Sequence, residues 1–187
     1  MHVTVYLISA LLVLLFAYVV FWRIVRRDYR VRGRLSPFSS MMQLLVFLAY
    51  FCFPYLYSPP EWHWFWRLDI SATPVLQAIG LGLICLGFAV SFGTMFWFGI
   101  RKAFGLGVDG ITKHGPYKIS RNPPVLGGYL LVIGVFVQWP SLYAFGWVLM
   151  YAAILHWMVK TEEEHLLRVF GEEYEAYCSE VPRYLFR

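Results

Sequence analysis

Charge is scarce in this chain. Of its 187 residues only 14% are Asp, Glu, Lys or Arg, against ~25% in an average soluble domain, while 59% are hydrophobic and 20% aromatic. That balance excludes a soluble fold, because too few polar side chains are present to cover its surface. Length is modest as well. At roughly 100–200 residues per domain the chain reads as one unit, 1–187, with nothing to spare for a separate soluble catalytic or nucleotide-binding domain. An active site must then be built by membrane segments and their loops. Cysteine is rare: Cys52, Cys85 and Cys178 are an odd set at unrelated spacings, two of them inside apolar runs. This excludes a disulfide framework and a zinc site, so no metal is expected and the three read as small core residues. No segment repeats at a fixed period, and no low-complexity linker occurs.

What the chain has in plenty is long apolar runs. The first, 5–22, is too long for a signal-peptide core, and no small-residue cleavage site precedes the basic segment after it. It reads as a spanning helix. Runs at 41–57, 74–100, 124–139 and 142–159 come near the ~20 residues that a bilayer core requires. Only Trp139, Pro140 and Ser141 separate the last two, which makes them an antiparallel helical hairpin. The expected fold is all-α: a polytopic membrane protein of five transmembrane helices with a C-terminal amphipathic helix. In it, 1–100 holds three N-terminal spans, and 101–187 holds a loop, the hairpin and the tail.

Five spans place the termini on opposite sides. Fifteen of the sixteen Lys and Arg residues fall on one side, and Arg67 alone on the other. By the positive-inside rule the N-terminus is outside and the tail cytoplasmic. Topology, with anionic headgroups, accounts for the basic excess, and no patch remains for nucleic acid. The outer loop, 58–72, carries Trp62, Trp64 and Trp66 beside His63, Pro59 and Pro60 and reads as an interfacial aromatic belt.

Two cytoplasmic segments, 101–124 and 160–187, hold most of the polar side chains. Gly105, Gly107 and Gly110 follow no strand, so they read as a flexible turn and not a dinucleotide loop. Asn122 followed by Pro123 and Pro124 has the order of an N-cap and first-turn proline. The free N–H groups and positive dipole of such a helix start, beside Arg121 and His114, suit a carboxylate or phosphate. In the tail, Leu166, Leu167, Phe170, Tyr174 and Tyr177 recur at helical spacing and predict one amphipathic helix continuing the fifth span. At about 100° per residue, Glu163 falls roughly 20° from Phe170 inside the apolar stripe, with Glu162 on its flank and Glu164 pointing away to solvent. His156 shares the face of Glu163. A carboxylate on a buried face needs a partner, either a loop arginine such as Arg121 or the cation of a ligand.

The stretch 113–127, Lys-His-Gly-Pro-Tyr-Lys-Ile-Ser-Arg-Asn-Pro-Pro-Val-Leu-Gly, resembles the G-P-Y-x-x-x-R-H-P-x-Y-x-G signature of the isoprenylcysteine carboxyl methyltransferase and phospholipid methyltransferase superfamily of membrane enzymes. The tail is similar to its E-E-x-x-L-x-x-x-F-G-x-x-Y-x-x-Y element at Glu162, Glu163, Leu166, Phe170, Gly171, Tyr174 and Tyr177. The resemblance implies a methyltransferase that uses S-adenosyl-L-methionine without a Rossmann domain, the cofactor lying between the loop, the last two helices and the tail. Cofactor-binding positions would be His114, Gly115, Pro116, Tyr117, Arg121, Asn122, Pro123, Leu126, Glu162 and Glu163. Arg121 and Glu163 would be catalytic, with Arg121 pairing either with the cofactor carboxylate or with Glu163. Two positions depart from the signature: Asn122 stands where His is usual and Val125 where Tyr is usual. Asparagine donates hydrogen bonds but does not titrate near neutrality. A lipophilic acceptor (carboxylate, amine or thiol) would enter from the bilayer, among the membrane lipids. Methyl transfer from a sulfonium asks the protein mainly for proximity, orientation and a dry pocket. Two other readings stay open: an NADPH-dependent membrane reductase related to sterol reductases, whose tail resembles the run from Phe170 to Arg183, and a non-catalytic membrane protein that kept the fold.

Overall fold

A computed structural model describes residues 2–56, 73–99 and 110–185. Among the described residues every regular element is helical. Helix α1 (His2–Val19) passes through a π-helical turn, Val20–Val25, into α2 (Arg26–Arg32), so that Val3–Arg32 is one apolar rod ending in arginines. Gly33 stops it at φ +65°, the left-handed conformation that a helix end favours. Ser36 then caps α3 (Pro37–Cys52) by accepting from the Ser39 N–H at 3.2 Å, with Pro37 in the first turn. The Asp28 carboxylate pins this elbow, accepting from the Ser36 N–H at 2.9 Å and from the hydroxyls of Ser36 and Ser39. A 3₁₀ turn, Phe53–Leu56, extends α3. The loop at 58–72 and glycines 105 and 107 lie outside the described residues.

Helix α4 (Pro74–Phe98) is capped by Thr73, and a 3₁₀ turn, Gly115–Lys118, precedes α5 (Pro123–Gln138). The expected hairpin follows: Ser141 caps α6 (Leu142–Phe170) by accepting from the Ala144 N–H at 3.1 Å. Three helices are long and apolar enough to cross a membrane, Val3–Arg32, Pro74–Trp97 and Leu142–Phe170. The other two runs, α3 and α5, have 16 residues each, about 24 Å of helix at 1.5 Å per residue.

The tail differs from the single amphipathic helix expected. Gly171, at φ +48° and ψ −123°, breaks it, and α7 (Glu172–Glu180) starts in a new direction. Leu167 is consequently 43% exposed and leaves the stripe, while Leu166 and Phe170 pack with Tyr174, Tyr177, Cys178 and Val181 in a small core of their own, joined by Ile111. The cysteines differ too. Cys52 and Cys85 are exposed on the apolar outer surface, and only Cys178 is partly buried.

The main core lies between α1, α3, α5 and α6. Tyr50 of α3 stacks on Trp147 of α6 at 4.8 Å and 2°, each ring's polar atom bonding the other's backbone carbonyl at 3.1–3.2 Å. Both rings thus bury their apolar area with their donors satisfied. Glycine spacing fastens α4 to α5. A Cβ on Gly87 would lie 2.6 Å from the Gly127 carbonyl, and one on Gly134 would lie 2.7 Å from that of Gly80, so the backbones touch where a side chain has no room. This contact carries α4 alongside the loop that leads into α5.

Candidate active site

The polar end of α6 and the 3₁₀ loop meet under the tail. Beyond the apolar stretch 142–159, α6 presents Glu162, Glu163 and Glu164 on three different sides. Glu163 faces inward, as its place in the stripe predicts. It accepts from Arg121 at 3.1 Å and from Arg183 through a fork, Nη2 at 2.6 Å and Nε at 2.9 Å. The side chains of Glu163 and Arg121 are 13% and 12% exposed, so this is a largely desolvated cluster whose charges need one another. Arg183 escapes a sequence reading because it sits after a proline in a short tail, and nothing in its spacing links it to α6. Glu164 does not point to open solvent: Arg26 of α2 clasps it at 2.7 and 2.9 Å, joining the first rod to the last.

Glu162 is the carboxylate left over. Solvent reaches its side chain, and among the described residues it has no ion-pair or hydrogen-bond partner. Protein nevertheless stands close to it. Tyr29 of α2 and Tyr117 of the loop are near enough to feel its charge. This crowding first, and the Glu163 charge second, push its carboxyl up to about 7. Water at the carboxylate offsets part of that crowding, and the direction, toward neutrality, is what bears on its chemistry. The neighbouring phenols stay protonated. Burial pushes Tyr177 up to about 12 and Tyr117 higher still, leaving both as hydrogen-bond donors at neutral pH.

The loop is shaped by its tight contacts. Gly115 has φ +57°, and a Cβ there would meet the Trp97 ring at 2.8 Å, while Trp97 stacks near Tyr117 at 6.3 Å. The Tyr117 carbonyl accepts from the Tyr177 hydroxyl at 2.7 Å. The tail strap closes over the start of α5: the Arg121 N–H donates to the Pro182 carbonyl, and Ser120 Oγ and Asn122 Nδ2 both donate to that of Arg183 at 3.1 Å. Asn122 stands at the N-cap position but caps nothing with its side chain. The expected anion site at this helix start is also not formed. Pro123 and Pro124 have no N–H, and those of Val125 and Leu126 bond the Asn122 carbonyl. His114 is exposed, with its carbonyl accepting from the Tyr117 N–H.

Against the same loop lies an apolar groove of about 1060 Å³ between α4 and α5. Gly115, Pro116, Ile119 and Ser120 floor it, Pro123 and Leu126 line its α5 wall, and Tyr184 of the tail strap closes one end. The sequence-predicted residues therefore divide. Tyr117, Arg121, Glu162 and Glu163 belong to the polar side, and Pro123 and Leu126 to the apolar one. Gly115 and Pro116 line the apolar groove as well. Val125, 5% exposed, faces the core and neither compartment.

The profile of the phospholipid methyltransferase family matches residues 75–173, which takes in α4, the loop, α5 and α6 and more than half of the 187 residues. The chain belongs to the phospholipid methyltransferase family. As a member of it, the protein is a membrane methyltransferase, and the match ends just past Gly171, so that the strap bearing Arg183 and Tyr184 lies beyond it. Comparisons with curated proteins and with solved structures give no match. Among the described residues of this methyltransferase, no three His, Cys, Asp or Glu side chains gather as metal ligands would.

Proposed function

We propose that the protein transfers a methyl group from S-adenosyl-L-methionine to a lipophilic acceptor at the cytoplasmic membrane interface. The observation that carries this reading is the loop Gly115–Ser120, which brings Tyr117 near the unpaired Glu162 carboxylate and also lines an apolar groove of about 1060 Å³. A cationic, water-soluble donor and an apolar acceptor require such opposite surroundings a short distance apart.

The residues fit the donor. It carries an ammonium and a sulfonium, for which Glu162 is the available anion, and a carboxylate, for which Arg121 retains a buried Nε–H without a partner. When bound, the donor supplies the electrophilic methyl carbon. The chain's own residues bind and orient. Glu163 holds Arg121 and Arg183, Arg183 holds the strap, and the strap covers the start of α5, which excludes water from it. Arg121 and Glu163, expected to be catalytic, act in this arrangement by positioning. An acceptor carboxylate needs no base; for an amine or thiol, Glu162 is the group whose carboxyl titrates near neutrality.

Depth within the bilayer supports five crossings with the tail in the cytoplasm. Helix α5 starts beside Glu163 and ends next to Leu142, so in 16 residues it covers the same depth as the apolar stretch of α6. Helix α3 does likewise, from the Asp28 elbow to the Tyr50–Trp147 pair. The single unit 1–187 then has its reactive end where fifteen of the sixteen basic residues lie.

Equilibrium binding to detergent-solubilised protein tests the reading. S-adenosylhomocysteine is expected to bind and NADPH not to. Binding of NADPH alone would end the methyltransferase reading in favour of a reductase, and binding of neither would favour a non-catalytic protein. Mass spectrometry of lipid extracts incubated with a labelled methyl donor then identifies the acceptor.

A further inference from the structure

A polar recess, of about 810 Å³, opens at the elbow between α2 and α3 and shares no lining residue with the apolar groove. Arg23, Arg27 and Arg32 line it, with Asp28 as its acid. Asp28 is already engaged, by Ser36, by Ser39 and by Arg32 at 3.8 Å. Arg26 and Arg30, which alternate with the lining arginines, are committed to Glu164. Arg23 and Arg27 are different: both are exposed and, among the described residues, neither has an ion pair. The recess therefore holds two uncompensated guanidinium groups at the end of an apolar rod.

Its apolar surroundings lead into the bilayer. Phe38 lines the recess and is 56% exposed, and Met41 and Leu45 follow it on the same face of α3 at helical spacing, 50% and 38% exposed. Cations at the mouth and an uncovered apolar stripe running from it match an anionic amphiphile. They match neither a free anion, which has no use for the stripe, nor a zwitterionic lipid, which brings its own cation to the arginines.

We propose that Arg23 and Arg27 bind the phosphate of an anionic phospholipid whose acyl chains lie along Phe38, Met41 and Leu45. This site is separate from methyl transfer and does not depend on the function proposed above. The test is native mass spectrometry of the full chain released from mixed micelles containing equal amounts of phosphatidylglycerol and phosphatidylcholine, with and without inorganic phosphate. The wild type is expected to retain phosphatidylglycerol at least tenfold over phosphatidylcholine. That preference should fall to near unity in R23Q/R27Q and persist in R34Q, which removes an exposed arginine outside the recess. Equal retention of both lipids by the wild type, an undiminished preference in R23Q/R27Q, or full displacement by inorganic phosphate would each overturn the proposal. The wild-type comparison stands by itself should the double variant fail to fold.

Discussion

Glu163 accepts from two guanidinium groups while Glu162, one residue earlier, accepts from none, and the turn of about 100° between successive helical residues is the cause. The two substitutions should therefore fail in different ways. Glu162→Gln keeps shape and removes charge, so binding of S-adenosylhomocysteine should weaken roughly tenfold to a hundredfold, the scale of one charge-assisted hydrogen bond, with no loss of thermal stability. Glu163→Gln leaves Arg121 and Arg183 facing each other, and removing one partner of a desolvated pair costs about 3 kcal/mol, so the melting temperature in detergent should drop. An unaltered melting temperature would show that the cluster is solvated. Titration gives a further check. Glu162 is neutral below its raised value and charged above it, so affinity for S-adenosyl-L-methionine, which carries a sulfonium and an ammonium, should fall as pH drops through about 7 and be flat in Glu162→Gln. Calorimetric binding across that range reads the difference; an equal slope in both proteins would assign the titration to another group. Of this site, the inward carboxylate was legible because a helical wheel needs only spacing. The clasp of Glu164 by Arg26 was not, since it joins residues 138 apart in the chain.

Among the elements, the α4–α5 pair makes the sharpest demand on side-chain size. Gly87 and Gly82 lie on the same helix, yet a Cβ on Gly87 would collide with the Gly127 carbonyl while one on Gly82 meets nothing within 4 Å. Gly87→Ala is expected to destabilise by about 1–3 kcal/mol, the range for overpacking a tight contact. Gly82→Ala should be neutral or slightly stabilising, since Ala is the better helix former. Thermal unfolding of both variants in one detergent makes the comparison, and equal midpoints would refute the contact. Gly171 has the opposite character: it has free space but sits at φ +48°, ψ −123°, where L side chains are strained. Gly171→Ala should cost on the order of 1–3 kcal/mol and undock the tail, seen as faster proteolysis after residue 171; an unchanged rate would mean the break tolerates a side chain. Helix positions and the hairpin were readable from run length and from Ser141 and Pro140. The break at Gly171 was not, because the apolar period continues across it. At α5's first turn the residues did carry the answer, since Pro123 and Pro124 lack the N–H groups that the N-cap order alone suggests are free.

At the scale of the molecule, contacts at two depths fix how the helices run. Tyr6 donates to the Tyr143 carbonyl at 2.8 Å at one end of the bundle, while Arg26–Glu164 and Arg121–Glu163 close the other. If only the three long helices crossed, the loop before α5 would emerge on the side opposite the end of α6, and Arg121 could not stand 3.1 Å from Glu163. The five crossings proposed above satisfy these contacts; each short helix would then bridge a core of ~30 Å with about 24 Å of helix, which calls for local thinning or for extension by the flanking turns. Single cysteines placed in a cysteine-free background at four exposed sites read this directly. With an impermeant thiol reagent, Thr73→Cys and Leu142→Cys should label in intact cells, and Lys118→Cys and Glu175→Cys only after permeabilisation. The reverse pattern would invert the orientation drawn from the arginines. Labelling of Lys118→Cys together with Leu142→Cys would mean that α5 does not cross, which would remove the shared depth of Arg121 and Glu163 and with it the geometry on which the proposed methyl transfer at the cytoplasmic face rests.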